Sequence, residues 1–271
     1  AGDARVTGCL MKNNRISGFS RIGILFLTLG CMLLPRHGLA TDVGLKAIEE
    51  ASTFHKRLEK GNLAPKEMFE LANSIGPVID SVRQTNTATE NLKRLRDILD
   101  SMRLLTEGYL SQIEADTQES EAALERLYRS QDWDDISFAL AAFPYWRAWI
   151  DLELAKREED PGLKVTALLP AQKGFRAASM QMFRPGLVYG GWLGMGYLEL
   201  ERGRQKRALE IFESLDMALA SEPDSPVRQA VKLELRLLEV QTGKVKPRTI
   251  SRELDDTEAQ LLRAEAFALL Q

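Results

Sequence analysis

Four glycines stand within seven residues of the stretch GGWLGMG, at Gly190, Gly191, Gly194 and Gly196. Glycine-rich loops of this kind hold nucleotide phosphates when they follow a strand and end in Gly-Lys-Ser/Thr. No lysine follows Gly194 or Gly196, and a dinucleotide fingerprint that begins at these two glycines meets Glu199 instead of its third glycine. A phosphate-binding loop is therefore not favoured. The alternative role of the glycines is the close packing of one helix against another.

Histidine and cysteine are nearly absent after the first 40 residues. Cys9, Cys31 and His37 precede that point, which leaves His55 as the only histidine of the remaining chain. A zinc site built from cysteine and histidine is therefore excluded there. A serine–histidine–acid triad would have to use His55, and no Gly-x-Ser-x-Gly elbow accompanies it. We expect His55 to be a solvated helix residue, and we expect no metal and no cofactor.

Paired carboxylates are another route to catalysis, since glycosidases need only two acids. The acidic clusters are Asp132/Asp134/Asp135, Glu158/Glu159/Asp160 and Asp255/Asp256. They lie at predicted helix ends or breaks, and acids near a helix start complement its dipole. A calcium loop is not expected at Asp132, because Ser137 and Phe143 occupy its glycine and glutamate positions. A helical-toroid enzyme that acts on glycans through Asp134 and Glu159 stays an alternative.

The N-terminal segment has the layout of a secretory signal peptide. A basic region over 11–21 precedes an apolar run over 22–34. This run is shorter than the roughly 20 apolar residues that a spanning helix needs. We therefore predict cleavage between Ala40 and Thr41, which gives an exported, periplasmic protein without an integral membrane span. A lipid anchor at Cys31 is the alternative.

The charge of the chain changes when residues 1–40 are set aside as upstream residues and a cleavable signal peptide. Of 36 basic and 39 acidic residues, five basic and one acidic residue lie in that segment, so 31 basic and 38 acidic residues remain. The resulting net charge of −7 argues against nucleic acid as a partner, because proteins that bind it usually carry a basic surface.

Strong helix formers dominate residues 41–271, and neither an alternating strand pattern nor an Asn-Gly hairpin occurs. We therefore predict an all-α protein. One helix is predicted over 43–58 and another from Pro65, where proline suits the first turn. Later helices are predicted over 162–169, 171–183, 187–202, 204–220, 225–242 and 255–270.

The stretch 85–131 has a one-sided helical pattern, carried by Leu92, Leu95, Leu99 and Met102. The pattern is interrupted at 117–120, after about two heptads, whereas a sustained coiled coil has three or four. An antiparallel helical hairpin within an N-terminal helical region over 41–131 is therefore favoured. A structural coiled-coil envelope protein built on 85–130 is a further alternative.

A new helix is predicted after Ser130, with Asp132 as its cap and Pro144 as a kink or a restart. Three aromatic residues follow the proline at Tyr145, Trp146 and Trp149. Such a cluster is typical of a helix-packing core.

A weak repeat with a period of 37 residues aligns Ala171 with Ala208 and Phe175 with Phe212. Helix-turn-helix units of this period are typical of solenoids, in which each unit buries its apolar face against the next.

Residues 187–220 resemble one unit of the tetratricopeptide repeat family. The matching residues are Trp192, Met195, Gly196, Gly203, Ala208 and Phe212. The sequence departs from the repeat at Glu199, where an aromatic residue is expected, and at Pro223, which comes three residues late. A partial resemblance covers 145–185.

The resemblance implies a short tetratricopeptide-like solenoid of helical hairpins over 132–271. It implies that the six matching residues pack the helices together, with Gly203 at the turn. It also implies a concave groove that binds protein or peptide segments through Gly190, Leu193, Tyr197 and Glu201. We hypothesise a non-catalytic periplasmic scaffold or adaptor for other envelope proteins.

Overall fold

A computed structural model describes residues 40–60, 63–84, 87–117, 120–182 and 184–244. Over these ranges the protein has nine helices and no strand, which confirms the predicted all-α class. The chain divides into two compact units, residues 1–37 and residues 38–271. All the described residues belong to the second unit. The predicted signal peptide before Ala40, the alternative lipid anchor at Cys31 and the helix predicted over 255–270 lie outside the described residues.

In chain order the helices are α1 (Ala40–Glu59), α2 (Pro65–Gln84), α3 (Thr89–Thr117), α4 (Glu121–Tyr128), α5 (Gln131–Lys156), α6 (Pro161–Ser179), α7 (Pro185–Glu201), α8 (Gln205–Ala218) and α9 (Pro226–Gln241). Four of them begin at a proline, whose missing N–H would have no partner in a first turn. Asp160 caps α6, because its carboxylate accepts hydrogen bonds from the backbone N–H groups of Gly162 and Leu163.

Two interior prolines do not end their helices. Helix α5 runs through Pro144 and α6 runs through Pro170, so the predicted division between 169 and 171 is wrong. Proline removes one helical hydrogen bond. The buried residues on either side of each proline, such as Phe143 and Leu168, pack against neighbouring helices and outweigh that loss.

The cap of α5 is Ser130 rather than Asp132. The Ser130 hydroxyl accepts a hydrogen bond from the backbone N–H of Trp133 at 3.1 Å. Asp132 lies in the first turn of the helix, where its charge still complements the helix dipole.

Helix α5 is the centre of the packing. It contacts α2 and α3 as well as α6, and α6, α7, α8 and α9 each pack against the preceding helix. Helix α7 also contacts α5 and α9. Helices α5, α7 and α9 therefore form one layer, and α6 and α8 form a second layer. The result is a solenoid-like array of helical hairpins. One core runs from Ile48 to Leu238, and the regions before and after residue 131 share it.

The leucine stripe of α3 is used within this chain. Leu92, Leu95, Leu99 and Met102 are buried, and α3 packs against α5 and α1. Helix α3 ends at Thr117 and α4 begins at Glu121, where the sequence predicted an interruption. The short α4 packs back against α3. Because the chain's own helices cover the stripe, it offers no free seam to a coiled-coil partner.

The glycines of GGWLGMG lie inside α7 and not in a loop. Their backbone N–H groups therefore belong to a helix and cannot surround a phosphate. A methyl group at Gly191 would meet the backbone of α6, one at Gly194 would meet the Phe175 ring, and one at Gly196 would meet the Phe212 ring. These glycines let α6 and α8 approach α7 closely.

The remaining residues of the repeat pattern also have defined places. Gly203 makes the turn between α7 and α8 with φ of 70°, a conformation that glycine adopts readily. Ala208 and Phe212 are buried, and Met195 is half-buried. Trp192, which the pattern assigns to helix packing, instead keeps 45% of its surface exposed.

Substitution of Gly196 by alanine is expected to destabilise the protein by about 1–3 kcal/mol, because the new methyl group overpacks against the buried Phe212 ring. Gly186→Ala in the first turn of the same helix is the control, since nothing lies within 4 Å of its added methyl group. It should be neutral or should stabilise by up to about 1 kcal/mol. Urea unfolding of both variants tests this, and equal effects would contradict the packing role of Gly196.

Candidate functional site

Side chains from α2, α5, α7 and α9 form one cluster around Trp149 and Tyr197. We call this cluster the inner face, and its members are Arg83, Trp149, Glu153, Lys156, Tyr197 and Glu234. Trp149 is buried, whereas the other five remain partly accessible to solvent. The cluster therefore combines an aromatic base with charged groups that solvent reaches.

The aromatic base continues across three further helices. Trp149 packs edge-on against Phe175 of α6, with ring centres 4.8 Å apart, and against Tyr197 of α7 at 5.6 Å. Tyr197 in turn packs edge-on against Phe212 of α8 at 5.9 Å. Aromatic pairs in this geometry add to the stabilisation that burial of the rings provides. The two phenylalanines are the residues that the 37-residue repeat aligns.

Arg83 brings a positive charge over the aromatic base. The centre of its guanidinium lies 3.7 Å from the Trp149 ring centre and 5.5 Å from that of Tyr197. Its Nε is 3.7 Å from a Glu153 carboxylate oxygen and makes no hydrogen bond within the described residues. Lys156 donates to the same Glu153 oxygen at 2.8 Å. Glu153 is therefore shared by two cations.

Tyr197 connects the inner face to α9. Its hydroxyl donates a hydrogen bond to a Glu234 carboxylate oxygen at 2.8 Å. Burial, and then the negative charge of Glu234, raise the pKa of Tyr197 well above its ordinary value, and burial raises the pKa of Tyr145 to about 12. Both hydroxyls therefore stay protonated near neutral pH, and that of Tyr197 acts as a hydrogen-bond donor rather than as a base.

The four residues expected to line a groove have different environments. Gly190 is buried against the Tyr145 side chain, and Leu193 is buried in the core. Glu201 is half-buried and forms an ion pair with Lys164 of α6 at 2.7 Å. Only Tyr197 belongs to the inner face. Arg83, Glu153, Lys156 and Glu234 had no sequence signal, because each is a single charged residue within a helix and belongs to no motif.

Glu199, which departs from the repeat pattern, is a buried structural residue. Its carboxylate forms ion pairs with Arg202 at 2.8 Å and with Arg204 at 3.5 Å, both in the turn that follows α7. Arg202 also donates to Gln172 of α6 at 2.6 Å. A polar cluster therefore joins the end of α7 to α6 at a position where the repeat family has an aromatic residue.

His55 is not the solvated residue that the sequence predicted. It is half-buried, its Nε2 lies 2.5 Å from the Ser101 hydroxyl, and its Nδ1 lies 3.8 Å from a Glu59 oxygen. Ser101 stands in the interior of α3, whose backbone N–H groups are used by the helix, so no pair of free N–H groups can stabilise an oxyanion. The geometry is that of a contact between α1 and α3 rather than of a hydrolytic triad.

The proposed pair of catalytic acids is separated by the length of α5. Asp134 lies in its first turn and Glu159 lies beyond its last residue. At 1.5 Å per residue the separation is on the order of 35 Å, whereas the two acids of a glycosidase lie roughly 5–10 Å apart. These two residues therefore cannot act on one bond. Within the described part of the chain, no three metal-ligating side chains cluster in a way that would hold a metal ion.

Comparison with protein-family models, with curated proteins and with solved structures gave no match. Among the helices that the structure describes, none has both the length and the apolar character needed to cross a bilayer.

A second polar cluster lies between α3 and α5. Arg147 donates to Asp100 at 2.6 Å and is 3.3 Å from a carboxylate oxygen of Asp151, a buried residue. Burial raises the pKa of Asp151 from 3.8 to about 6, although the positive charges of Arg147 and Arg96 oppose the shift. The native state therefore holds this proton more tightly than the unfolded chain does.

Because the pKa of Asp151 is higher in the folded state, its contribution to stability falls as the pH rises from 3.8 to about 6. We expect Asp151→Asn to gain stability relative to wild type over this interval, by at most about 3 kcal/mol. Urea unfolding at a series of pH values measures the difference between the two proteins. A difference that stays constant with pH would contradict the raised pKa.

Tyr197→Phe is expected to lower the unfolding free energy by about 1–2 kcal/mol, because Glu234 loses a hydrogen-bond donor in a half-buried site. Tyr189→Phe on the same helix serves as the control and should change stability by less than about 0.5 kcal/mol. Thermal or urea unfolding at neutral pH distinguishes them. Equal stability of the two variants would show that the bond to Glu234 does not hold α7 and α9 together.

Proposed function

We propose that this protein is an exported, non-catalytic scaffold of tetratricopeptide-like type, which binds segments of other envelope proteins in the periplasm through its inner face. The observation that carries the proposal is the meeting of partly accessible charged and aromatic side chains from α2, α5, α7 and α9. A segment lying across these helices would touch residues that are distant in the sequence.

The chemistry of the inner face suits a peptide. Its charged groups, Arg83, Glu153, Lys156 and Glu234, can each bind a backbone or side-chain group of a ligand. The Lys156–Glu153 pair lies within one helix and stays partly accessible, so exchanging it for a contact with a ligand has a small cost. Tyr197 and Arg83 provide the residue types that are enriched among the strongest contributors to protein interfaces.

The sequence supports the cellular part of the proposal. The basic and apolar segments before Ala40 have the layout of a signal peptide, and residues 187–220 resemble a repeat whose family binds peptide segments. The role assigned to the inner face rests on that resemblance and on the side chains that meet there.

Site-specific cross-linking tests the proposal. Lys156 on the inner face and Lys93 on α3 are matched, because each donates to a glutamate three residues earlier at 2.8 Å. A photoreactive amino acid at position 156 should give discrete protein adducts in the periplasm, and one at position 93 should not. Lys156→Glu should then weaken binding of the identified partner at least about tenfold, with Lys93→Glu unchanged.

Two outcomes would contradict this function. One is equal adduct formation from positions 156 and 93, which would indicate non-specific proximity. The other is the absence of any adduct at position 156 together with measurable hydrolysis of a glycan by the purified protein.

A further inference from the structure

The segment from Pro161 to Leu198 has no acidic residue, although the chain as a whole holds more acids than bases. Its four basic residues are Lys164, Lys173, Arg176 and Arg184. Lys164 is paired with Glu201, and Arg184 donates to the backbone carbonyl of Asp134. Neither Lys173 nor Arg176 has an ion pair within the described residues. Two free positive charges thus remain on α6.

These charges lie in line with exposed apolar side chains. Val165, Leu169, Lys173, Arg176 and Met180 are all exposed, and we call this line the α6 stripe. Their spacing of three or four residues places them on one face of the helix. Leu168, Ala171 and Phe175 are buried on another face, which packs against α5 and α7. The last four stripe residues border a shallow depression of about 420 Å³.

Exposed apolar side chains are concentrated around the stripe. Nine large apolar side chains are exposed over the described residues, and six of them lie between positions 163 and 192. They are Leu163, Val165, Leu169, Met180, Met182 and Trp192. Single exposed apolar residues are normal on protein surfaces, but a cluster of them marks an interaction site. Packing within the chain does not account for this cluster.

We propose that the α6 stripe docks onto the surface of an anionic phospholipid bilayer. The stripe covers roughly 22 Å of helix, from the rise of 1.5 Å per residue. In this position Leu169 and Met180 would enter the boundary between headgroups and acyl chains, while Lys173 and Arg176 contact headgroup phosphates. Long basic side chains extend their charges to the headgroups while their methylene groups stay in apolar surroundings.

A bilayer surface suits this stripe better than an acidic protein does. The two cations lie between apolar side chains along one line, so a protein cleft would have to enclose both charges in an apolar site. Such desolvation is costly unless each charge is paired with good geometry. At a bilayer the apolar groups go inwards and the charges stay at the hydrated surface. Docking through α6 would leave the inner face on the other side of α5 and α7 free.

Co-sedimentation of the full chain with phospholipid vesicles tests the proposal. Vesicles that contain phosphatidylglycerol should bind the protein more tightly than vesicles of phosphatidylcholine alone. The double variant K173Q/R176Q should bind the anionic vesicles about 25-fold more weakly, at roughly fivefold per cation. The control K93Q/R94Q removes the same charge from the exposed surface of α3 and should change binding by less than about threefold. Leu169→Gln should also weaken binding, and no variant should alter stability appreciably.

Because every variant retains the apolar run over 22–34, any binding by that segment is the same in all of them. A second measurement reports on the stripe alone. Anionic vesicles should slow the chemical methylation of Lys173, and should leave Lys66, which is 78% exposed on α2, unchanged.

The proposal is overturned if K173Q/R176Q and K93Q/R94Q bind anionic vesicles equally, or if vesicles leave Lys173 as reactive as before. It is also overturned if soluble polyglutamate protects Lys173 and vesicles do not, which would indicate an acidic protein as the partner. Self-association that Leu169→Gln abolishes, without any vesicle binding, would assign the stripe to a second copy of this chain.

Discussion

The contacts of Trp149 hold the two halves of this protein together. The ring is buried, carries the Arg83 guanidinium of α2 on one face at 3.7 Å, and packs edge-on against Phe175 of α6 and Tyr197 of α7. A single side chain of α5 thus contacts one helix from before residue 131 and two from after it. Loss of a buried tryptophan creates a cavity that costs about 3–5 kcal/mol, and here it would also leave Arg83 without its aromatic partner. The relative positions of α2, α6 and α7, and with them the inner face, depend on this residue.

In the proposed function, the inner face separates stability from binding. The aromatic rings pack together and supply stability, whereas the Lys156–Glu153 pair lies within one helix and contributes little to stability. A ligand of the proposed kind could therefore replace either partner of the Glu153–Lys156 pair without changing how the helices beneath pack. The hydrogen bond from Tyr197 to Glu234 differs, because it connects α7 to α9 and so takes part in both roles. Glu199 and Asp151 lie outside this surface. Arg202, the partner of Glu199, bonds to α6, and Arg147, the partner of Asp151, bonds to α3.

Helix α6 has two surfaces with different requirements. Its buried side carries Ala171 and Phe175, where small and aromatic residues allow the close approach of α7 through Gly191 and Gly194. Its exposed side carries Leu169, Lys173 and Met180. No acidic residue occurs between Pro161 and Leu198, although the chain holds more acids than bases. A scaffold held at a membrane by one side of α6 would present its inner face to proteins in the adjacent compartment.

Local chemistry in the sequence predicted the all-α class and most of the helices. The prolines at positions 65, 161, 185 and 226 begin helices, because proline suits a first turn, and the spacing of Leu92, Leu95 and Leu99 identifies the buried side of α3. The repeat also identified Phe175 and Phe212 as core residues. Tertiary packing decided the rest. It keeps α5 and α6 continuous through Pro144 and Pro170, brings His55 to Ser101, and places Arg83 over Trp149. Periodicity determines which side of its own helix a residue occupies, but which helix lies opposite depends on many weak contacts between distant segments, and these leave no local pattern.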